Sequence, residues 1–263
     1  MGMILEVKHA VCGYGRKSVV EDISLKVTNG EILCLLGPNG VGKTTFFKTI
    51  LGFLKLQKGE ILLDGKNIAH WPQNKLAKII GYVPQTHTPP FPFRVLDVVV
   101  MGRTPHIEKR SSPSKKDMEI ALEVLDRLKI LDLKDKIYTE ISGGERQLVL
   151  ISRALAQQPE ILIMDEPTSN LDFGNQIRVL RQINELSKSG IGVIMTSHFP
   201  NHAFLCSTKV ALLQKNHNFK VGNVDEIVTE ENLKSAYGIN VKIIDTKLDH
   251  NKILKSCIPL LEE

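Results

Sequence analysis

The chain has 263 residues, 42% of them hydrophobic, and a formal net charge of +5, so it can bury a substantial core as one domain carrying an inserted subdomain. No apolar stretch approaches the roughly 20 residues needed to span a bilayer, so any membrane role must come through a partner. The basic residues are dispersed, and their densest cluster, Lys109, Arg110, Lys115 and Lys116, has no interleaved aromatics for base stacking, which argues against nucleic acid as a partner.

The N-terminus, Met1 to Glu6, has no apolar signal core, and Glu6 breaks the myristoylation pattern that Gly2 suggests. Ile23, Leu25 and Val27 alternate with Ser24 and Lys26, the period-two pattern of a half-buried strand, and Asn29-Gly30 then reads as a hairpin-type turn. An antiparallel edge is therefore expected before the apolar run Ile32 to Leu36, which reads as a strand covered on both faces. Directly after it comes Gly37-Pro38-Asn39-Gly40-Val41-Gly42-Lys43-Thr44-Thr45. Strand, glycine-rich loop and helix start in that order make a P-loop. The glycines let backbone amides curl round an anion, and the helix points its positive end at the same place. A nucleoside triphosphate suits that field, with Lys43 reaching the β- and γ-phosphates, Thr44 offering a hydroxyl to Mg²⁺ and Thr45 bonding an α-phosphate oxygen. Gly52 is placed to stop the helix.

Beyond a proline-rich passage from Thr88 to Phe93, a helix is expected over Lys116 to Lys129, with Met118, Leu122, Leu125 and Leu128 on one face. Residues 88–154 thus read as a mostly helical subdomain inserted into a core of residues 1–87 and 155–263. The opening Ile141-Ser142-Gly143-Gly144-Glu145-Arg146-Gln147 makes a second anion-binding helix cap. Ile161 to Met164 is a buried strand delivering two adjacent carboxylates, Asp165 and Glu166, the arrangement in which one holds Mg²⁺ and the other handles an attacking water. Gly192 to Thr196 is a further buried strand, and both strand ends should gather beside the P-loop in a parallel α/β sheet. Val210 to Leu213 and Phe219 to Val221 read as strands, followed by a short helix over Glu230 to Tyr237. Cys12, Cys34, Cys206 and Cys257 lack any pairing framework, so reduced thiols in a cytoplasmic protein are the simplest account.

Gly37 to Thr45, Ser142 to Gln147 and Asp165-Glu166-Pro167-Thr168, in this order, resemble the ABC ATPase family over nearly the whole chain. Smaller marks agree: Tyr14 matches the aromatic that stacks on adenine, Gln85 the Q-loop, Ser169 to Asp172 the D-loop and His198 the switch histidine. The resemblance implies a P-loop NTPase fold of the RecA-like type, with a parallel sheet, an antiparallel β-subdomain and an inserted helical subdomain. It implies ATP hydrolysis with ATP and Mg²⁺ as cofactors. The ATP contacts carry over to Tyr14, Gly37, Asn39, Gly40, Gly42, Lys43, Thr44, Thr45, Ser142, Gly143, Gly144 and Glu145, and the Mg²⁺ contacts to Thr44, Gln85 and Asp165. Glu166, His198 and Gln85 are the implied catalytic residues, Glu166 polarising water and His198 orienting it. A head-to-tail dimer is also implied, with two ATP molecules each held between one P-loop and the other subunit's Ser142 and Gly144, and with Asp172 bridging the subunits. Two departures stand out, Ile141 for leucine and Glu145 for glutamine. Glutamate can still accept from a ribose hydroxyl, so a modest change in ATP affinity is the expectation.

Phe91 to His106, His198 to Ala203 and Thr229 to Gly238 look like the corresponding segments of ATPases serving iron-siderophore, haem, cobalamin and related metal-chelate or oxyanion importers. That resemblance implies permease subunits as partners, an extracytoplasmic substrate-binding protein as an indirect one, and a peripheral location on the cytoplasmic face of the cell membrane. The alternatives weighed are a soluble ABC ATPase in nucleic-acid repair, translation or cofactor assembly, and a P-loop kinase, against which the second anion cap argues. His198 and His202 have metal-pair spacing, but Pro200 between them argues against a regular helix, so His202 reads as a surface or capping histidine. Met101 and the valines before it read as subdomain core.

Overall fold

Side chains along β3 (Ile32–Leu36) alternate between two separate cores: Leu33 and Leu35 enter one, and Ile32, Cys34 and Leu36 enter the other. The same split recurs in β7 (Ile161–Met164), β8 (Gly192–Ser197) and β9 (Lys209–Leu213), which is why these strands read as continuous apolar runs. The computed structural model describes residues 2–85, 91–108, 111–215, 218–247 and 253–261. With β6 (Ile80–Val83) and β10 (Phe219–Asn223) they form a six-stranded sheet in the order β10-β9-β3-β8-β7-β6, parallel except for β10.

One core lies between this sheet and a four-stranded antiparallel sheet in the order β2-β1-β4-β5. Its strands are β1 (Ile4–Tyr14), β2 (Lys17–Thr28), β4 (Lys58–Leu63) and β5 (Lys66–Asn67). Phe46, Phe47 and Ile50 of α1 (Lys43–Ile50) fill the space between the sheets. The turn at Asn29-Gly30 is therefore not a hairpin. It carries the chain from β2 in one sheet to β3 in the other, because β8 and β9 already pair with both edges of β3.

On the other face lie α3 (Val95–Val100), α4 (Lys115–Arg127), α5 (Gly143–Leu155), α6 (Phe173–Lys188) and α7 (Pro200–Cys206), with the smaller α8 (Val224–Ile227) and α9 (Glu230–Tyr237), whereas the short α2 (Gln73–Ala77) buries Leu76 in the core between the sheets. The expected helical-segment start at residue 88, the prolines at 89 and 90, and Lys109 and Arg110 lie outside the described residues. In α4 the expected stripe is displaced. Leu125 and Leu128 are buried as expected, but Ile120 and Ala121 complete the face while Met118 and Leu122 are only half-buried. Val98, Val99 and Val100 are core, whereas Met101 is 41% exposed and faces a surface groove. A 3₁₀ turn, Met101–His106, carries it outward there.

That turn is held by contacts invisible to periodicity. A Cβ on Gly102 would stand 2.0 Å from the Arg153 carbonyl oxygen, so only glycine lets the turn meet α5. Arg103, 5% exposed, donates from Nε to Asp117 Oδ1 (2.9 Å) and from Nη1 to the Ala156 carbonyl (2.6 Å). Asp117 also closes the capping box of α4 with Ser114. The Ser114 hydroxyl and then the Arg103 guanidinium hold the Asp117 carboxyl down at about 2. Replacing Arg103 by alanine leaves that carboxylate buried without its cation. We expect a loss of about 3 kcal/mol in chemical denaturation, and an unchanged midpoint would show that the pair contributes nothing.

A final hairpin, β11 (Val241–Lys247) and β12 (Ile253–Pro259), docks on α7. The Asn201 side chain accepts from the Cys257 amide (2.7 Å) and donates to its carbonyl (3.3 Å).

Candidate active site

The carboxyl ends of four adjacent parallel strands converge, the place where open α/β sheets bind ligands. β3 ends in the P-loop, β6 leads to Gln85, β7 to Asp165 and Glu166, and β8 to His198. A cleft of about 430 Å³ is lined by Tyr14, Asn39, Gly40, Gly42, Lys43, Thr44, Thr45, Gln85 and Glu166. Tyr14 is 52% exposed at its rim, leaving an aromatic face free for stacking.

The start of α1 suits an anion because its N-cap is a glycine of the P-loop; α2, α3 and α7 also lack a capping bond but start on Pro72, Arg94 and Phe199. α4, α5, α6 and α9 each begin on a side chain that accepts from the first turn, whereas α1 begins on Gly42 with no capping side chain. Its first N–H groups are left to a ligand. Gly42 is required twice over, since its φ is 107° and a Cβ there would lie 2.3 Å from Val20 Cγ2 of β2.

Lys43 is buried, with its ammonium donating to the carbonyls of Gly37 (2.7 Å) and Pro38 (3.0 Å), 3.7 Å from Glu166 Oε1. Burial pulls the lysine below its usual range, and Glu166 and Asp165 pull it back up. The Thr44 hydroxyl donates to Asp165 Oδ2 (2.8 Å), and the Thr196 hydroxyl donates to Asp165 Oδ1 (2.8 Å) while accepting from the Glu166 amide (2.7 Å). Glu166 itself has φ 47°, a left-handed conformation unusual for a side chain of its size. Its Oε2 accepts from Gln85 Nε2 (2.9 Å) and lies 3.5 Å from His198 Nδ1. Thr44 and Asp165 present hard oxygen donors suited to Mg²⁺.

Ser142 to Glu145 stand apart from this cleft, at the start of α5. Glu145 caps its own helix. Its Oε2 accepts from the Ser142 amide (2.8 Å), and its own amide donates to Ser142 Oγ (3.3 Å), a closed capping box. The Ser142 hydroxyl bond, then its amide, holds the carboxyl below its usual range. Gly144 has a packing reason as well, since a Cβ would lie 2.3 Å from the Asn175 side chain, itself held by Asp172, the N-cap of α6.

The model of the family described as ABC transporter matches residues 20–169. The chain belongs to the ABC transporter family. An uncharacterized ABC transporter ATP-binding protein of Haemophilus influenzae is 42% identical to it over 254 residues, 97% of this chain and 96% of the relative. A "Probable iron chelatin transport ATP-binding protein" of Helicobacter pylori is 37% identical over 250 residues, 94% of this chain and 98% of the relative. Among solved structures, a chain from an inward-facing conformation of a metal-chelate type ABC transporter superposes with a TM-score of 0.88 at 32% identity, covering 99% of this chain and 98% of that one. This ABC ATPase therefore binds ATP, and no helix among its described residues is long and apolar enough to cross a membrane.

One residue of the site, Thr196, went unread in the sequence, and His202 behind it is placed differently from the sequence reading. Thr196 sits inside a run that reads as buried strand, and only the fold shows its hydroxyl joining Asp165 to the Glu166 amide. His202 is neither surface nor cap: it is 5% exposed, on a helix whose Pro200 occupies the first turn, where no N–H is missed.

Proposed function

We propose that this chain is the ATP-hydrolysing subunit of a membrane importer for an iron-siderophore, haem, cobalamin or related metal chelate or oxyanion. In this reading, 1–87 and 155–263 form its nucleotide-binding core and 88–154 its helical subdomain. The observation carrying the proposal is end-to-end likeness to a metal-chelate type transporter's chain. In this reading the P-loop amides and Lys43 bind the triphosphate, Tyr14 stacks on the base, and Thr44 and Asp165, with Gln85 nearby, hold Mg²⁺, which neutralises charge on the phosphate oxygens when bound. Glu166 takes a proton from water as its oxygen attacks the γ-phosphorus, the bond to the β-γ bridging oxygen breaks, and ADP leaves. His198 and Gln85 flank the same carboxylate and orient it.

The separation of Ser142, Gly143 and Gly144 from the cleft of their own copy supports a head-to-tail pair in which these residues of one copy meet the γ-phosphate on the other and Asp172 lies at the seam. The single cleft lacks these groups, so hydrolysis needs the second copy. A groove of about 860 Å³, lined by Gln73, Ala77, Asp97, Val100, Met101 and Thr104 among others, supports permease docking beside the helical subdomain. Its exposed methionine and apolar floor suit a short helix from an integral membrane subunit. With an extracytoplasmic binding protein feeding that permease, this subunit acts at the cytoplasmic face of the membrane.

Affinity capture of the subunit from detergent-solubilised native membranes, read by mass spectrometry, tests the reading. Co-purification of a polytopic permease is expected. An exclusively soluble partner set would instead point to an ABC ATPase of repair, translation or cofactor assembly.

A further inference from the structure

His198 Nδ1 is buried without a hydrogen-bond partner among the described residues, its approach to Glu166 being 3.5 Å. What orients its ring is packing. Phe199 lies against it with ring centroids 4.0 Å apart, and His202 backs Phe199 at 5.2 Å in an edge-on arrangement. His202 is in turn pinned from two sides. Its Nδ1 is 3.0 Å from Ser197 Oγ, at the end of the strand that delivers His198, and 3.4 Å from Thr168 Oγ1, two residues beyond Glu166. Ser197 Oγ also accepts from the Phe199 amide (3.0 Å). Burial, and secondarily His198, pushes the His202 ring down to about 4, so at neutral pH it is an uncharged imidazole facing two hydroxyls.

We infer that His202 is a positioning residue for hydrolysis: through Phe199 it fixes the ring of His198, and through Ser197 and Thr168 it sets the spacing between the segments that carry His198 and Glu166. The inference rests on the proposed roles of His198 and Glu166. It gives His202 a role in hydrolysis without contact to nucleotide. A group that only holds the fold would lower stability and leave turnover per folded molecule intact. A group that aims His198 must lose its effect once His198 is gone.

The test is steady-state ATP hydrolysis by the assembled transporter carrying His202→Leu, His202→Asn, His198→Ala, or His198→Ala with His202→Leu. Leucine keeps bulk and loses the Nδ1 bonds, and we expect kcat to fall about tenfold with KM for ATP within about twofold. Asparagine restores an acceptor at the Nδ1 position and should recover most of the loss. In the His198→Ala background His202→Leu should cost nothing further. Losses that multiply, or an unchanged kcat in His202→Leu, would overturn the inference. Wild-type turnover in His198→Ala alone would remove the role of His198 and this inference with it, an outcome visible separately from the double variant. If His202→Leu does not fold, Phe199→Leu interrupts the same ring stack and must show the same non-additivity.

Discussion

Glu166→Gln is expected to lower ATP turnover by at least about a hundredfold while nucleotide affinity stays within about twofold. The amide matches the carboxylate in shape and can still accept from Gln85 Nε2, which lies 2.9 Å away in the wild type. What it loses is negative charge and proton affinity at the atom pair facing His198 and Lys43. The backbone gives a second reason to expect a clean effect. Glu166 is held at φ 47° by its amide bond to Thr196 and the turn from its carbonyl to the Ser169 amide, neither of which involves the side chain. The site should therefore keep its geometry. Single-turnover hydrolysis with equilibrium ATP binding separates the two quantities, and wild-type-like turnover would remove Glu166 from the role of base.

Lys43→Ala should act on binding instead, lowering ATP affinity by about a hundredfold in titration calorimetry. The buried ammonium already makes two charged hydrogen bonds to P-loop carbonyls and faces two carboxylates. Without it, Asp165 and Glu166 face an incoming polyanion with one compensating cation fewer, so repulsion adds to the lost contacts. Unchanged affinity would contradict the P-loop assignment. Seen together, the two variants split the site into a binding half at the start of α1 and a hydrolytic half at the ends of β7 and β8.

The central strands and P-loop were legible because their signals are local. Apolar runs buried on both faces, a glycine pattern and a helix start all fit within a few residues. β1 escaped because its alternation changes phase: Leu5 and Val7 point inward, then Ala10 and Cys12, with a register shift around Lys8 and His9, the latter at φ 47°. The C-terminal hairpin escaped because Ile243-Ile244 breaks the period and its burial comes from α7 and α9, which the tertiary fold brings to it. Glu145 was read through its ligand chemistry, whereas its nearest need is to cap its own helix.

The sequence by itself determined the chemistry on offer: which residues can bind phosphate, hold Mg²⁺ and activate water, and in what order along the chain. Those properties belong to side-chain type and short-range backbone conformation. Only the tertiary structure decided which of these groups meet, since Gln85, Glu166 and His198 are carried by different strands and converge through parallel pairing. It also decided why Gly42, Gly102 and Gly144 must lack a Cβ, because the atoms they would strike belong to Val20, Arg153 and Asn175. Close packing between segments far apart in sequence leaves no periodic trace at either partner.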